Sequence, residues 1–250
     1  MAAESPQIPP ALRNVKVLLF DTFGTVVDWR KNVKSRLQSL TADDWSRFAQ
    51  EWRNSYGVFT RSFDPEVSEW KDIDTHHHES LIGLLHKWNL AGTFTDGEVK
   101  SLSLVWHRLT PWHDSVQGLE MLGRRFVTST LSNGNQSLLQ DLNEHGQLGF
   151  QRLISSADFK AYKPKPAVYL GAAGVLGLKP EECAMVAAHL EDLKAARDCG
   201  LKTIYVERPL EEAWPKGEQL YSESRSWVDL WVTEKEDGFV ELARRLDIPK

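Results

Sequence analysis

Cysteine occurs only twice, at Cys183 and Cys199. Two thiols sixteen residues apart offer neither a disulfide framework nor a metal-type spacing, and a reducing, cytoplasmic setting suits the chain best. No apolar run approaches the ~20 residues that a membrane-spanning helix needs. Basic residues are outnumbered, 30 Lys and Arg against 35 Asp and Glu, for a net charge of -5, which gives no electrostatic case for a nucleic-acid partner. The first 14 residues carry Pro6, Pro9 and Pro10 and no hydrophobic segment of signal-peptide type, so they read as a loose tail. Internal repeats, low-complexity tracts, a phosphate-binding Gly-Lys-Ser/Thr loop and a Gly-x-Ser-x-Gly elbow are all missing, which removes the usual nucleotide and serine-hydrolase signatures.

What is present is a globular composition, 41% hydrophobic over 250 residues, with an excess of tryptophan, ten in all. Most of them fall between Trp29 and Trp112, a density that suits a core, an interface or an apolar pocket.

The chain is organised around Val17-Leu18-Leu19-Phe20-Asp21-Thr22-Phe23-Gly24-Thr25. An apolar run too short for a helix ends in a carboxylate and a tight turn, the pattern of a buried parallel strand delivering Asp21 to its C-terminal edge. Ligands of open α/β sheets bind outside those edges. A carboxylate there can act as a nucleophile; it can also simply cap the next segment. From residue 29 to about 112 only helical periodicity follows. One helix is capped by Thr41, a second covers roughly Thr75 to Trp88, and a third starts at Thr95-Asp96. Strands and helices then alternate. Strands are expected near 126–131, 153–155, 184–188, 201–206 and 228–232, and helices near 115–124, 137–144, 166–176 and 238–246, with an alanine-rich one before Gly200. Alternating β and α units imply an α/β fold with a doubly wound parallel sheet. Residues 15–28 and 113–250 would form this core, and residues 29–112 an inserted helical subdomain.

Several reactive side chains gather on the expected rim: Asp21 and Thr25, then Ser132 and Asn133, Lys163 before a helix, and His189 with Asp192. Each has an ordinary explanation as a turn, a surface charge or a first-turn carboxylate; their joint placement does not. The histidines 76–78 fan about 100° apart on a helix and cannot converge on one metal, so a solvated face is expected for them. Gly171, Gly174 and Gly177 read as packing contacts along a helix.

The stretches Phe20 to Asp28, Leu131-Ser132-Asn133-Gly134-Asn135, Tyr162-Lys163-Pro164-Lys165-Pro166 and Val186 to Asp192 resemble the haloacid dehalogenase superfamily, and within it the type II (S)-2-haloacid dehalogenase branch. The resemblance implies that the helical insertion is a cap. It implies a hydrolase with Asp21 as nucleophile, Lys163 beside it, and Asp192 holding the lysine. Thr25 and Ser132 would hold the nucleophile and the substrate carboxylate, and Asn133 would help bind the departing halide. A cap arginine completes the halide cradle, with Arg61 at about the family position and Arg53 as its competitor. Tyr169 matches a family tyrosine near the site, and core packing accounts for it equally well. A dimer with the cap tryptophans as contacts is a further implication, along with a small-molecule 2-haloacid as the partner.

Two positions separate this chain from the superfamily's phosphatases. Those resemble one another in a second aspartate two residues after the nucleophile, where this chain has Phe23, and in a magnesium ligand where it has Ala188. Mg²⁺ demands hard oxygen ligands in near-octahedral geometry, whereas halide leaves with neither metal nor proton. The reading is therefore metal-independent dehalogenation without a cofactor. A phosphatase retaining weak metal affinity through Asp21 and Asp192, or a non-catalytic binding protein on the same scaffold, are the alternatives. Better-known members carry Ser and Asn where this chain has Ala187 and His189. His189 therefore has two open readings: a base for ester hydrolysis, since imidazole titrates near neutrality, or a packing residue that orients its loop.

Overall fold

The computed structural model describes residues 8–30 and 42–249. Its centre is β1 (Val17–Phe20), followed by the short β2 (Val27–Asp28). The helical insertion holds α1 (Ala42–Ser62), α2 (Ile73–Lys87), α3 (Asp96–Ser103) and a 3₁₀ turn, Leu104–Arg108. The chain returns through β3 (Thr110–Pro111) and then alternates: α4 (Ser115–Gly123), β4 (Val127–Ser132), α5 (Gln136–His145), β5 (Arg152–Ser155) and α6 (Pro166–Val175). It ends with β6 (Cys183–Ala187), α7 (Leu190–Asp198), β7 (Lys202–Val206), α8 (Gln219–Ser224), β8 (Leu230–Val232) and α9 (Gly238–Arg245).

Six strands form one parallel sheet in the order β5-β4-β1-β6-β7-β8, so β1 lies between β4 and β6. Alternate side chains of β1 feed opposite faces. Leu18 and Phe20 join one hydrophobic cluster with α4, α5 and α9, whereas Val17 and Leu19 join another with α6 and α7. Helices thus cover both faces, as expected for a strand apolar at every position. The α4–α9 contact is close enough that a Cβ on Gly118 would sit 2.3 Å from Phe239 Cβ.

The insertion leaves and rejoins the core through a two-stranded antiparallel ribbon, Val27 opposite Pro111 and Asp28 opposite Thr110. Its packing is aromatic. Trp52 meets Trp106 edge-on at 5.3 Å between ring centres, and His77 stacks on Trp106 at 4.7 Å. The Thr95 start is a full capping box with Glu98; the expected Thr41 cap lies outside the described residues.

Four expectations need correction. Leu12 is buried in a 3₁₀ turn against the core, so residues 10–12 are not part of a loose tail. The histidine run is not a solvated face: His76 and His77 are buried, because their rings fill gaps between Phe59, Tyr56 and Trp106. Burial lowers the pKa of His76 to about 4 and holds that of His77 well below the ordinary imidazole value, so both are neutral packing groups. Trp29, Trp45, Trp52 and Trp106 are buried within the chain and cannot serve as dimer contacts, which narrows that expectation to the half-buried Trp70, Trp88 and Trp112. Of the three glycines, only Gly171 approaches a neighbour closely (a Cβ there would meet Phe159), and Gly177 lies past the end of α6 at φ +67. The sequence also gave no warning of α8 or of the β2–β3 ribbon, which are too short to show a period.

Candidate active site

The chain leaves β1 at Asp21, whose amide is bound by the Val186 carbonyl of the adjacent β6. Gly24, at φ +86, turns the loop back so that Thr25 faces the aspartate. Thr25 Oγ1 donates to Asp21 Oδ2 at 2.8 Å and accepts from the Ala188 amide at 2.9 Å. From the loop before α6, Lys163 Nζ reaches both Asp21 Oδ1 (2.8 Å) and Asp192 Oδ2 (2.7 Å). Tyr169 on α6 donates to the other oxygen of Asp192 at 2.6 Å. His189, at the N-terminus of α7, places Nδ1 3.0 Å from Asp21 Oδ2.

Electrostatics sort the carboxylates. Burial alone would push the Asp21 carboxyl up, but the Lys163 ammonium and the His189 hydrogen bond outweigh it and hold it well below the usual range. Burial likewise opposes the charge on Lys163, and the two aspartates more than restore it, raising its pKa. Asp192 is shifted upward, by burial first and then by the neighbouring Asp21, against the pull of Lys163. The resting site therefore carries an ionised Asp21 locked to the Lys163 cation.

A cavity of about 480 Å³ opens above Asp21, between the sheet edge and α1. Asn133, Lys163, Tyr169, His189 and Asp192 line it from the core, and Arg53, Tyr56, Thr60 and Arg61 from the cap. Arg53 lies 4.6 Å from the centre of the Tyr56 ring and near 6 Å from those of Phe23 and Trp29. Arg61 lies two turns further along α1 and is exposed. Asn133 is engaged with the Lys163 main chain, its Oδ1 accepting from the amide at 2.8 Å and its Nδ2 donating to the carbonyl at 3.4 Å. Ser132 is fully buried, its hydroxyl accepting from the Gly134 amide. Phe23 is buried against Trp106 and Tyr56. Ser132, Thr25 and Phe23 stand behind the cavity wall rather than on it.

Sequence reasoning missed the groups after β7. Glu211, with its side chain only 3% exposed, reaches His189 Nε2 (3.3 Å) and Trp29 Nε1 (3.3 Å) and forms an ion pair with Arg30. Glu212 accepts from the Leu190 amide at 2.9 Å, at the start of α7. The signal was a fifth strand end, Val206, followed within six residues by two adjacent carboxylates. Arg208 completes the loop with a bidentate pair to Asp114 (2.6 and 2.9 Å) while its Nε donates to the Thr25 carbonyl at 3.0 Å.

The fold is shared with proteins of known family. The crystal structure of a defluorinating L-2-haloacid dehalogenase superposes with a TM-score of 0.84 at 36% identity, over 97% of this chain and 99% of that one. A second L-2-haloacid dehalogenase structure gives a TM-score of 0.81 at 34% identity, covering 93% and 99%. (S)-2-haloacid dehalogenase 1 of Pseudomonas sp. (strain CBS-3) is 27% identical over 202 residues, 78% of this chain and 85% of the relative. Residues 15–200 match the family described as haloacid dehalogenase-like hydrolase. The chain belongs to the haloacid dehalogenase-like hydrolases, on the branch of the L-2-haloacid dehalogenases.

Proposed function

We propose that the protein hydrolyses carbon–halogen bonds of short 2-haloalkanoic acids through an ester on Asp21, without a metal ion. The observation that carries this reading is the state of Asp21: ionised, buried, and fixed on both oxygens by Lys163, Thr25 and His189.

An Asp21 oxygen attacks C2 from the side opposite the halogen. The carbon–oxygen bond forms as the carbon–halogen bond breaks, and its electron pair leaves with halide. Arg53, above the Phe23, Trp29 and Tyr56 rings, offers the departing anion a positive and partly dry cradle. Lys163 balances the nucleophile's charge, and from the cavity wall that it shares with Asn133 it attracts the substrate carboxylate. Water then attacks the ester carbonyl, Cγ of Asp21, with His189 beside it as base. Of the two water protons, one ends on the new hydroxyl and the other leaves through His189. The product is a 2-hydroxy acid inverted at C2, and the Asp21 carboxylate is restored with one oxygen from water.

Metal-independent chemistry is supported by the donors already in place. All four oxygens of Asp21 and Asp192 accept hydrogen bonds from Lys163, Thr25, His189 or Tyr169, and no hard ligand is offered at Ala188. The resemblance to a defluorinating enzyme adds fluoroacetate to the acids worth testing. The deciding experiment is a single turnover of 2-chloropropionate in heavy-oxygen water, in the presence of EDTA. Halide release with label in residue 21 is expected; halide release with label only in the product would refute the ester.

A further inference from the structure

His189 faces carboxylates on both ring nitrogens, Asp21 at Nδ1 and Glu211 at Nε2. We propose that Glu211 is a positioning residue that keeps the proton on His189 Nε2, so that Nδ1 becomes the free base when Asp21 is esterified. This rests on the dehalogenase reading above.

In the resting enzyme both neighbours of the ring are acceptors, so a ring proton on either nitrogen has a partner. Alkylation removes one of those partners. The Asp21 carboxylate becomes a neutral ester and no longer holds a proton at Nδ1, while Glu211 keeps its charge and its claim on Nε2–H. The ring therefore sheds the proton from the nitrogen that faces the ester. A lone pair appears on Nδ1 at the stage when a water near Cγ of Asp21 needs a base, and not before. The proton released at Nδ1 goes to solvent, and Nδ1 then takes one from the attacking water.

Glu211 is built for this. It is fixed by Trp29 Nε1 on the oxygen that faces His189, and by the Arg30 guanidinium on the other. Arg30 also donates to the Leu210 carbonyl at 2.6 Å, holding the main chain next to the carboxylate. The adjacent Glu212 secures the Leu190 amide, so one loop fixes both the ring of His189 and the backbone that follows it. Gly24 completes the fit, because a Cβ at that position would lie 2.0 Å from Glu211 Oε2. Lys163 binds the opposite oxygen of Asp21 and Arg30 lies behind Glu211, while Arg53, Glu191, Asp192 and Glu212 line the same cavity as the ring.

Glu211→Gln is the incisive variant. It is isosteric, and its single carbonyl oxygen is claimed by Arg30, which leaves an amide NH₂ facing His189 and forces the wrong tautomer. Rapid-quench assays with 2-chloropropionate should still show a halide burst, since an amide facing Nε2 leaves the proton on Nδ1, where it keeps the hydrogen bond to Asp21. Hydrolysis of the ester should then slow about 10–100-fold, with its pH profile displaced, and the ester should accumulate by mass spectrometry. His189→Ala should stall at the same stage, by about 10²–10⁴-fold. Ester hydrolysis at the native rate and pH profile in Glu211→Gln would overturn the proposal. Absence of both halide and ester in the native enzyme would instead refute the dehalogenase reading itself. If Glu211→Gln does not fold, the ¹⁵N shifts of His189 in the alkylated native enzyme decide: a protonated Nε2 is required, and a protonated Nδ1 overturns the proposal.

Discussion

The guanidinium of Arg53 rests over the Tyr56 ring, 4.6 Å from its centre, on the turn of α1 that faces Asp21 across the cavity. Three aromatic rings hold it there, and their apolar faces keep water from competing for an anion. Arg61 lines the same cavity but is exposed. Arg53→Ala is expected to slow halide release about 10²–10³-fold, and Arg61→Ala severalfold at most. Single-turnover halide assays on both variants check this; the reverse ranking would move the cradle to Arg61.

The depressed pKa of Asp21 has a direct consequence for pH dependence. A carboxyl held below its usual range stays ionised as the solution is acidified, so the alkylation rate should not fall near pH 4, where a free aspartate is half protonated. Lys163→Met removes the cation that opposes burial, and the lost acid limb should then reappear at higher pH. Single-turnover halide release between pH 3.5 and 7 measures both.

His107 joins the cap to the core through two carboxylates, Asp141 on α5 at 2.7 Å and Asp74 on α2 at 2.9 Å. Burial opposes its charge, but the two hydrogen-bonded carboxylates prevail and raise its pKa above the ordinary value. A raised folded-state pKa contributes stability that is fully present below the unfolded value and is lost as pH rises through the folded one. His107→Gln should therefore destabilise the protein by about 1 kcal/mol at pH 5.5, the exposure of Asp141 limiting the effect, and by less at pH 8.5. Thermal melts of both proteins across that range test it; an equal loss at both pH values would refute a charged clamp.

Arg208→Met is expected to cost far more, about 3–5 kcal/mol, because it strands the buried Asp114 carboxylate. Asp114 also accepts from the Phe239 amide at 2.6 Å, so the damage should extend to the packing of α9. Chemical denaturation measures the loss. The double variant Arg208→Met with Asp114→Leu should recover part of it.

The sheet and the positions of Asp21, Lys163, His189 and Asp192 were readable from the chain because each rests on a local pattern. An apolar run ending in a polar residue marks a strand and its functional edge, whatever the remaining sequence does. The choice between Arg53 and Arg61 was not readable in that way. Both lie on one helix, and they differ in the packing of Phe23, Trp29 and Tyr56 around Arg53 and in the exposure of Arg61, neither of which the sequence shows. Glu211 escaped notice because its partners, Trp29, Arg30 and His189, are 182, 181 and 22 residues away, and no periodicity links them. The histidine run misled for a related reason. Polarity predicts exposure on average, but an imidazole that stays neutral can stack on aromatic rings as His77 does on Trp106.

The ribbon of β2 and β3 brings the two ends of the helical insertion together, and the segment just beyond it is stitched back to the loop that follows Asp21. Trp112 donates from its main chain to the Val26 carbonyl and from its indole to the Gly24 carbonyl, and Ser115 donates to Val26 as well. With the two crossing points closed in this way, the cover is attached like a handle whose feet share one plate. Evolution could lengthen, shorten or exchange what lies between those feet, and so retune which acids are admitted, while the reactive aspartate below kept its setting.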